Sequence, residues 1–215
     1  MIKLVIFDFD GTIGDTQSLI VRTMQQTLRE VGLPLFSSEQ CASTIGLPLK
    51  ECFTHLMDMD DKTATLCEQT YRKIFFENNK QAKISPFPHV IDTLKVLHEK
   101  GLILTIASSR GHESLDEFVR EMDLKTYISM VLGADDVEKA KPEPELVQKT
   151  LNAFHITPEE TLVVGDMIYD ILMGKNAGTK TCGVTYGNGK KSELSSAGAD
   201  FIIDDFADIL NLLSA

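Results

Sequence analysis

Two aspartates, Asp8 and Asp10, follow directly on a short apolar run near the start of the chain, and Gly11 and Thr12 come after them. Because side chains alternate along a strand, positions 8 and 10 can point to the same side. Two carboxylates so close are costly without a cation, and Mg2+ prefers hard oxygen ligands of this kind. One carboxylate could then attack phosphorus while the other handles the proton of the leaving group. The alternative interpretation is an exposed acidic turn, since turns also favour Asp and Gly.

Two serines lie at the end of a second apolar run. Ser108 and Ser109 follow the run 102–107 and precede a helical pattern that begins near Gly111. A hydroxyl beside the unpaired N–H groups at the start of a helix can hold a phosphate. Serine is also a preferred helix cap without any ligand. The local sequence leaves both interpretations open.

Later in the chain, two aspartates and a lysine occupy similar positions. Asp166 and Asp170 are four residues apart at the start of a helical pattern, so they share one helix face or its entrance. Asp166 could also cap that helix, and capping is compatible with metal binding. Lys141 precedes Pro142, and a lysine considered alone is most often exposed to solvent.

Taken in order, these residues resemble the four motifs of the haloacid dehalogenase (HAD) superfamily. The tract 8–12 is similar to the first motif, Ser108 to the second, Lys141 with its proline to the third, and the tract 165–170 to the last. Together the four motifs span most of the chain. The superfamily includes dehalogenases, which generally lack an aspartate at the position matching Asp10. The presence of Asp10 therefore favours a phosphohydrolase.

The resemblance implies a Mg2+-dependent phosphatase with a phosphoaspartyl intermediate on Asp8. Asp10 would act as the general acid and then as the general base for the hydrolytic water. Lys141 would offset the charge on Asp8 and on the transferring phosphoryl group. Asp8, Asp166 and the backbone carbonyl of Asp10 would hold the Mg2+.

The resemblance also implies residues with supporting roles. Ser108 would bind the phosphate, assisted by the backbone N–H of Ser109. Asp170 would contact the metal through a water molecule or orient its ligands, and Thr12 is expected in the same surrounding shell.

Apolar runs of this kind are typical of strands buried on both faces of a parallel sheet. Strand patterns occupy 3–7, 102–107, 161–164 and 180–185, with weaker ones at 128–132 and 200–203. Helical patterns lie between them, at 90–100, 113–122, 143–154 and 167–177. The alternation predicts an α/β core with a Rossmann-like parallel sheet flanked by helices. Ligands of such sheets bind beyond the carboxyl ends of the strands.

One region breaks the alternation of strands and helices. Between Asp15 and about Lys83 only helical patterns occur, such as 16–31 and 61–79, and a proline-rich tract follows at 85–88. We therefore predict a core domain of residues 1–14 and 84–215 and an inserted all-helical cap domain of residues 15–83. An insertion after the first strand would lie over the catalytic edge of the sheet and could act as a lid.

This layout resembles the phosphoglycolate phosphatase-like branch of the superfamily, in which a helical cap follows the first motif. Two residues depart from that pattern. Gly14 stands where a bulkier residue is common, and His89 replaces a frequent glycine. The first could loosen the hinge, and the second is expected to alter only a helix start.

The cap is expected to select the substrate. Gly46 and Lys50 are the candidate selecting residues, with Arg22 and Arg72 as further anion contacts, although basic side chains on helices are usually solvated. Phosphoglycolate, sugar phosphates, nucleotide monophosphates and pyrophosphate remain candidate substrates. A β-phosphoglucomutase-like phosphomutase fits the same architecture. Among the five histidines, only His112 stands close enough to the serines to test.

Composition limits the classes of partner. The chain has 32 acidic and 21 basic residues, a formal net charge of -11, which disfavours nucleic acid as a partner. No apolar stretch approaches the roughly 20 residues that span a membrane. The four cysteines form no CxxC pair, as expected of thiols in the cytoplasm. We expect a cytoplasmic protein, monomer or homodimer, that binds a small phosphorylated metabolite. A receiver-type signalling domain is the alternative from another class, but receivers carry no helical insertion after their first strand.

Overall fold

The computed structural model describes residues 1–82 and 84–213. Residue 83, the last of the predicted cap domain, and residues 214–215, the last of the predicted core domain, lie outside the described residues. Among the described residues, no helix is both long and apolar enough to cross a membrane.

The core is a single parallel sheet of six strands, in the order β3-β2-β1-β4-β5-β6. The strands are β1 (Leu4–Phe7), β2 (Ile103–Ala107), β3 (Met130–Leu132), β4 (Thr161–Gly165), β5 (Lys180–Val184) and β6 (Phe201–Ile203). All four residues of β1 are buried, because this strand pairs with β2 on one side and with β4 on the other. The predicted α/β class is therefore confirmed, and the central strand is the one that leads into Asp8.

Ten α-helices surround or extend this sheet within the described part of the chain. They are α1 (Gln17–Val31), α2 (Ser38–Ala42), α3 (Leu49–Leu56), α4 (Asp61–Gln81), α5 (Val90–Glu99), α6 (His112–Glu121), α7 (Glu145–Phe154), α8 (Ile168–Asn176), α9 (Lys191–Ser196) and α10 (Ile209–Leu212). Every strand and helix that the sequence pattern predicted is present, with ends displaced by at most two residues. The short helices α2, α3, α9 and α10 had no individual prediction, since each is too short for a clear period.

The four helices α1 to α4 form the segment inserted after β1, as predicted, and its described residues contain no strand longer than an isolated bridge. Helices α1 and α4 pack along each other, with buried side chains that include Met24, Tyr71 and Phe75, and Phe53 of α3 joins the same core. We call this segment the helical segment. Its exact boundaries as a separate domain stay a prediction.

The chain enters and leaves the helical segment at adjacent points. Gly14 forms an antiparallel bridge with Pro86. The N–H of Asp15 donates to the carbonyl of Ser85 at 3.0 Å, and the N–H of Phe87 donates to the carbonyl of Ile13 at 2.9 Å. The two connections are therefore held side by side.

His89 is the residue before α5 and has a left-handed backbone, with φ of 64°. A glycine tolerates this conformation without strain, which explains why glycine would suit the position. The imidazole Nδ1 lies 2.8 Å from a carboxylate oxygen of Asp205. The residue lies at the start of α5, and its ring also contacts Asp205 near the end of the chain, which the sequence did not predict.

Candidate active site

The ends of β1, β2 and β4 bring the first group of predicted residues together. Phe7 is paired with Ile106 of β2 and with Val164 of β4, so the residues that follow these strands leave the sheet at one edge. Asp8, Ser108 and Asp166 are those residues or their near neighbours, and all three are buried.

Lys141 joins this edge from the loop before α7. Its side chain is fully buried, and Nζ lies 2.6 Å from Oδ1 of Asp8 and 2.7 Å from Oδ1 of Asp170. Burial alone would lower the pKa of Lys141, but the carboxylates of Asp170 and Asp8 raise it well above its usual value. The lysine is therefore a fixed cation inside the site, whereas a lysine considered alone would be expected in solvent.

Two carboxylates contact this cation, and a third lies close to those two. Asp8, Asp166 and Asp170 each offer an oxygen atom, and these atoms lie within 4.8 Å of one another. Burial raises the pKa of Asp8 well above its ordinary value, although Lys141 opposes the rise. Burial and the neighbouring Asp170 raise the pKa of Asp166 to about 7. A second cation would relieve the repulsion among the three.

The donor set fits a hard divalent metal ion. Mg2+ is usually bound through one or two carboxylates together with water and substrate phosphate. Asp170 was expected to contact the metal through a water molecule or to orient its ligands. Its carboxylate lies in one cluster with Asp8 and Asp166, and its role toward a metal stays a prediction. Its Oδ2 accepts the N–H of Met167 at 2.9 Å. A Cβ on Gly165 would lie 2.2 Å from that of Asp170, so this position must remain glycine.

Asp166 is held by residues from two other loops. The hydroxyl of Thr12 donates to its Oδ1 at 3.2 Å. Asn188 donates to its Oδ2 twice, from the backbone N–H at 2.7 Å and from the side-chain amide at 2.8 Å. Sequence reasoning placed Thr12 near the ligands but gave Asn188 no role. The only available signal was that its loop follows β5, the next strand of the sheet.

The carboxylate of Asp10 is not part of that cluster and is bound by an arginine that sequence reasoning missed, while its backbone carbonyl stays a predicted metal ligand. Arg110 donates from Nη2 to Oδ1 of Asp10 at 2.6 Å and from Nε to Oδ2 at 3.0 Å. The hydroxyl of Thr16 donates to Oδ1 at 2.6 Å. Arg110 lies between two aromatic rings, 4.7 Å from the centroid of Phe75 and 5.1 Å from that of Phe118. Its position two residues after Ser108 was the signal that could have found it.

The two serines differ in their surroundings. Ser108 is buried, and its hydroxyl oxygen accepts the N–H of Arg110 at 3.3 Å. The hydroxyl of Ser109 donates to the carbonyl of Gly46 at 2.6 Å, which links the core to the helical segment. Gly46 has a φ of 101°, and a Cβ there would lie 3.2 Å from Met167. Gly46 is therefore a point of close approach between the helical segment and the core.

A cavity of about 530 Å3 lies between the core and the helical segment, and Asp8, Asp10, Ser108 and Ser109 line its core side. Lys50 and Arg72 line the opposite side, where they pair with Asp61 at 2.6 Å and with Glu68 at 2.8 Å. Two other predicted residues do not reach the cavity. Arg22 is exposed on α1, and the ring of His112 binds Asp136 at 2.6 Å.

Comparisons with known proteins agree with this arrangement. Residues 5–184 match the sequence model of the haloacid dehalogenase-like hydrolase family. The chain is 34% identical to the pyrophosphatase PpaX of Anoxybacillus flavithermus, over 99% of this chain and 97% of that protein. It is also 34% identical to the probable phosphatase IndB of Dickeya dadantii, over 100% of this chain and 95% of that protein.

The fold has a similar counterpart among solved structures. A predicted phosphoglycolate phosphatase from Haemophilus somnus superposes with a TM-score of 0.87 at 25% identity, covering 99% of this chain and 98% of that one. The core sheet and the helical segment are therefore both present in a related structure.

Proposed function

Because the chain belongs to the haloacid dehalogenase-like hydrolase family, we propose that it is a Mg2+-dependent phosphatase that transfers a phosphoryl group through Asp8. The observation that supports this most strongly is the buried ion pair of Asp8 with Lys141, next to the carboxylates of Asp166 and Asp170. A nucleophilic carboxylate, a fixed cation and two further metal ligands meet at one point.

In the first step, a carboxylate oxygen of Asp8 attacks phosphorus, and the bond from phosphorus to the leaving oxygen breaks. Asp10 is the proposed proton donor to that oxygen, a role that requires its carboxyl group to be released from Arg110 and protonated first. Lys141 balances the charge of Asp8 and of the phosphoryl oxygens, and the N–H groups around Ser108 hold those oxygens. A Mg2+ held by Asp8, Asp166 and Asp170 would neutralise further phosphoryl charge.

In the second step, water attacks the phosphorus of the phosphoaspartate and gives a proton to Asp10. The bond between phosphorus and Asp8 breaks, which returns the free carboxylate and releases inorganic phosphate. The pair of hydrogen bonds from Arg110, together with that from Thr16, fixes where the Asp10 carboxylate lies. The proton donor and the nucleophile therefore stand on the same side of the cavity.

The relatives bear on the finer choice of substrate. The name of the PpaX relatives favours pyrophosphate over phosphoglycolate or a sugar phosphate. Organic phosphomonoesters form the second candidate class, because the cavity continues well beyond the phosphoryl-transfer residues along the helical segment. A phosphomutase would use the same first step but would return the phosphoryl group to an organic acceptor.

The test is release of inorganic phosphate from p-nitrophenyl phosphate and from pyrophosphate, with Mg2+ and with EDTA. Release that depends on Mg2+, together with a phosphorylated peptide containing Asp8 in acid-quenched samples, is the expected result. Activity that persists in EDTA, or a label on another residue, would contradict the proposal. Transfer to an added sugar phosphate without net phosphate release would identify a mutase.

A further inference from the structure

Phosphoryl transfer accounts for only one side of the cavity. A volume of about 530 Å3 lies within the range of small-molecule sites. A phosphoryl group bound at Asp8 and Ser108 would fill a small part of it. The remaining wall must therefore contact the leaving group of the substrate.

That wall is mainly apolar. Tyr71 and Phe75 are buried and stacked, with ring centroids 5.7 Å apart, and both line the cavity from α4. Met24 of α1 and Leu49 of α3 line it as well. Phe76 also lines the cavity while its side chain stays 54% exposed. An apolar ligand would remove this surface from water, which is favourable in proportion to the area buried.

The charges of the wall disfavour a second anionic group. Three cationic side chains line the cavity, and each is already paired: Arg110 with Asp10, Arg72 with Glu68, and Lys50 with Asp61. An anionic leaving group could gain a cation only by displacing one of these carboxylates. The Lys50 and Arg72 pairs are exposed and contribute little, so displacement there is opposed mainly by the charge of the carboxylate that remains nearby.

Additional carboxylates line the same cavity. Glu113, Glu117 and Asp135 are among the lining residues, and two of them, Glu113 and Asp135, are exposed. Like charges at short range repel, and they do so more strongly where water is partly excluded. A second phosphate or a carboxylate on the leaving group would meet this repulsion.

Building on the proposed function, we infer that the preferred substrates are phosphomonoesters whose leaving group is an uncharged alcohol with an apolar, aromatic or branched body. Pyrophosphate, whose leaving group is itself a phosphate, is then a poorer substrate of this chain, in contrast to what the names of the PpaX relatives favour. The apolar face of α4 and the paired cations are the features that set this preference.

The test compares four probes: ethyl phosphate, 2-phenylethyl phosphate, its para-carboxylate derivative and pyrophosphate. The leaving groups of the two neutral esters are alcohols of similar acidity. The difference between their kcat/KM values therefore reports the contact of the phenyl ring with the wall. We expect kcat/KM for 2-phenylethyl phosphate to exceed that for ethyl phosphate by at least about tenfold, because a buried phenyl group contributes at least that much. The kcat/KM values for the carboxylated probe and for pyrophosphate should both be lower than that for 2-phenylethyl phosphate.

Variants at Phe76 locate the effect. Because Phe76 is half-exposed, Phe76→Ala leaves no void in the core. It should lower, several-fold, the ratio of kcat/KM for 2-phenylethyl phosphate to kcat/KM for ethyl phosphate. Phe76→Arg adds a cation to the wall, so it should raise kcat/KM for the carboxylated probe relative to kcat/KM for 2-phenylethyl phosphate. Leu66→Ala is the matched control, because Leu66 is 49% exposed on the same helix and does not line the cavity.

The outcomes separate the inference from the proposed function. Equal kcat/KM for the two neutral esters, or a higher value for pyrophosphate or the carboxylated probe, overturns the inference while leaving Mg2+-dependent hydrolysis intact. No phosphate release from any probe in the presence of Mg2+ overturns both. If neither Phe76 variant changes the preference for 2-phenylethyl phosphate, the inference that the apolar face of α4 contacts the leaving group is wrong.

Discussion

The two sides of the cavity are built in opposite ways. On the core side, the carboxylates of Asp8 and Asp10 are buried and paired with Lys141 and Arg110, and Asp166 lies close behind Asp8. On the side of the helical segment, the rings of Tyr71 and Phe75 are buried, and Phe76 lines the same space while about half of its surface stays exposed. Chemistry that must position a reacting atom requires the first kind of wall. Recognition of a leaving group by its shape requires only the second.

If that contrast is correct, the largest single loss should come from the nucleophile. Asp8→Asn replaces the attacking oxygen by an amide while keeping the shape of the side chain. We expect kcat to fall at least about 10⁴-fold, as for other essential nucleophiles. Steady-state phosphate release checks this, and circular dichroism confirms that the variant is folded. A variant that keeps a tenth of the activity would place the nucleophile elsewhere.

The next largest effect should come from the buried cation. Lys141→Met leaves three converging carboxylates without their cation, which costs about 3–5 kcal/mol in comparable buried pairs. We expect urea unfolding without Mg2+ to show this loss, and we expect Mg2+ to restore part of it. Lys139→Met is the control, since Lys139 is exposed two residues away. Equal stability of the two variants would contradict the assigned role.

Removal of the metal should destabilise the protein in a manner that depends on pH. The pKa of Asp166 is raised from 3.8 to about 7 in the folded protein. Between these two pH values the folded state therefore binds more protons than the unfolded chain. Its stabilising contribution is complete at low pH and is lost as pH rises through about 7.

The measurable consequence is a melting temperature in EDTA that falls between pH 5.5 and pH 8, by on the order of 5 °C. Mg2+ should raise the melting temperature more at pH 8 than at pH 5.5, because it binds the ionised carboxylates. Thermal unfolding at both pH values, with and without Mg2+, tests this. An equal Mg2+ effect at the two pH values would argue against a metal site in the cluster.

The smallest effect should come from the contact that joins the two sides. Ser109→Ala removes the hydrogen bond from the Ser109 hydroxyl to the carbonyl of Gly46. One such bond contributes about 0.5–1.5 kcal/mol, so we expect KM to rise about two- to tenfold with little change in kcat. Ser43→Ala is the control, because its hydroxyl bonds only within the helical segment, to the carbonyl of Gln40. A change in kcat larger than that in KM would assign the serine to the chemical step instead.

The chemical side of the site could be predicted from sequence because a parallel sheet collects the residues after its strands at one edge. Asp8, Ser108 and Asp166 needed only correct strands, and the strand patterns were clear. Lys141 and Asp170 were found through the family resemblance, since neither residue type nor spacing requires that they meet. The pairing of Lys141 with both carboxylates gives the physical reason for that resemblance.

The residues that sequence reasoning missed lie on loops and helix faces. Arg110 and Asn188 reach Asp10 and Asp166 through the course of loops that no periodic pattern describes. The apolar wall on α4 has the same composition as an ordinary buried helix face, so its exposure to a cavity could not be read from Phe75 or Phe76 alone. Lys50 was chosen for its charge, but in the structure that charge is paired with Asp61.

The bridge between Gly14 and Pro86 has a consequence for how such proteins diversify. Because the two connections run side by side, an insertion of any length can begin and end there without altering the spacing of β1 and β2. The entropy of closing that insertion rises only slowly with its length. One set of helices can therefore be exchanged for another at this junction while the residues at the sheet edge keep their positions.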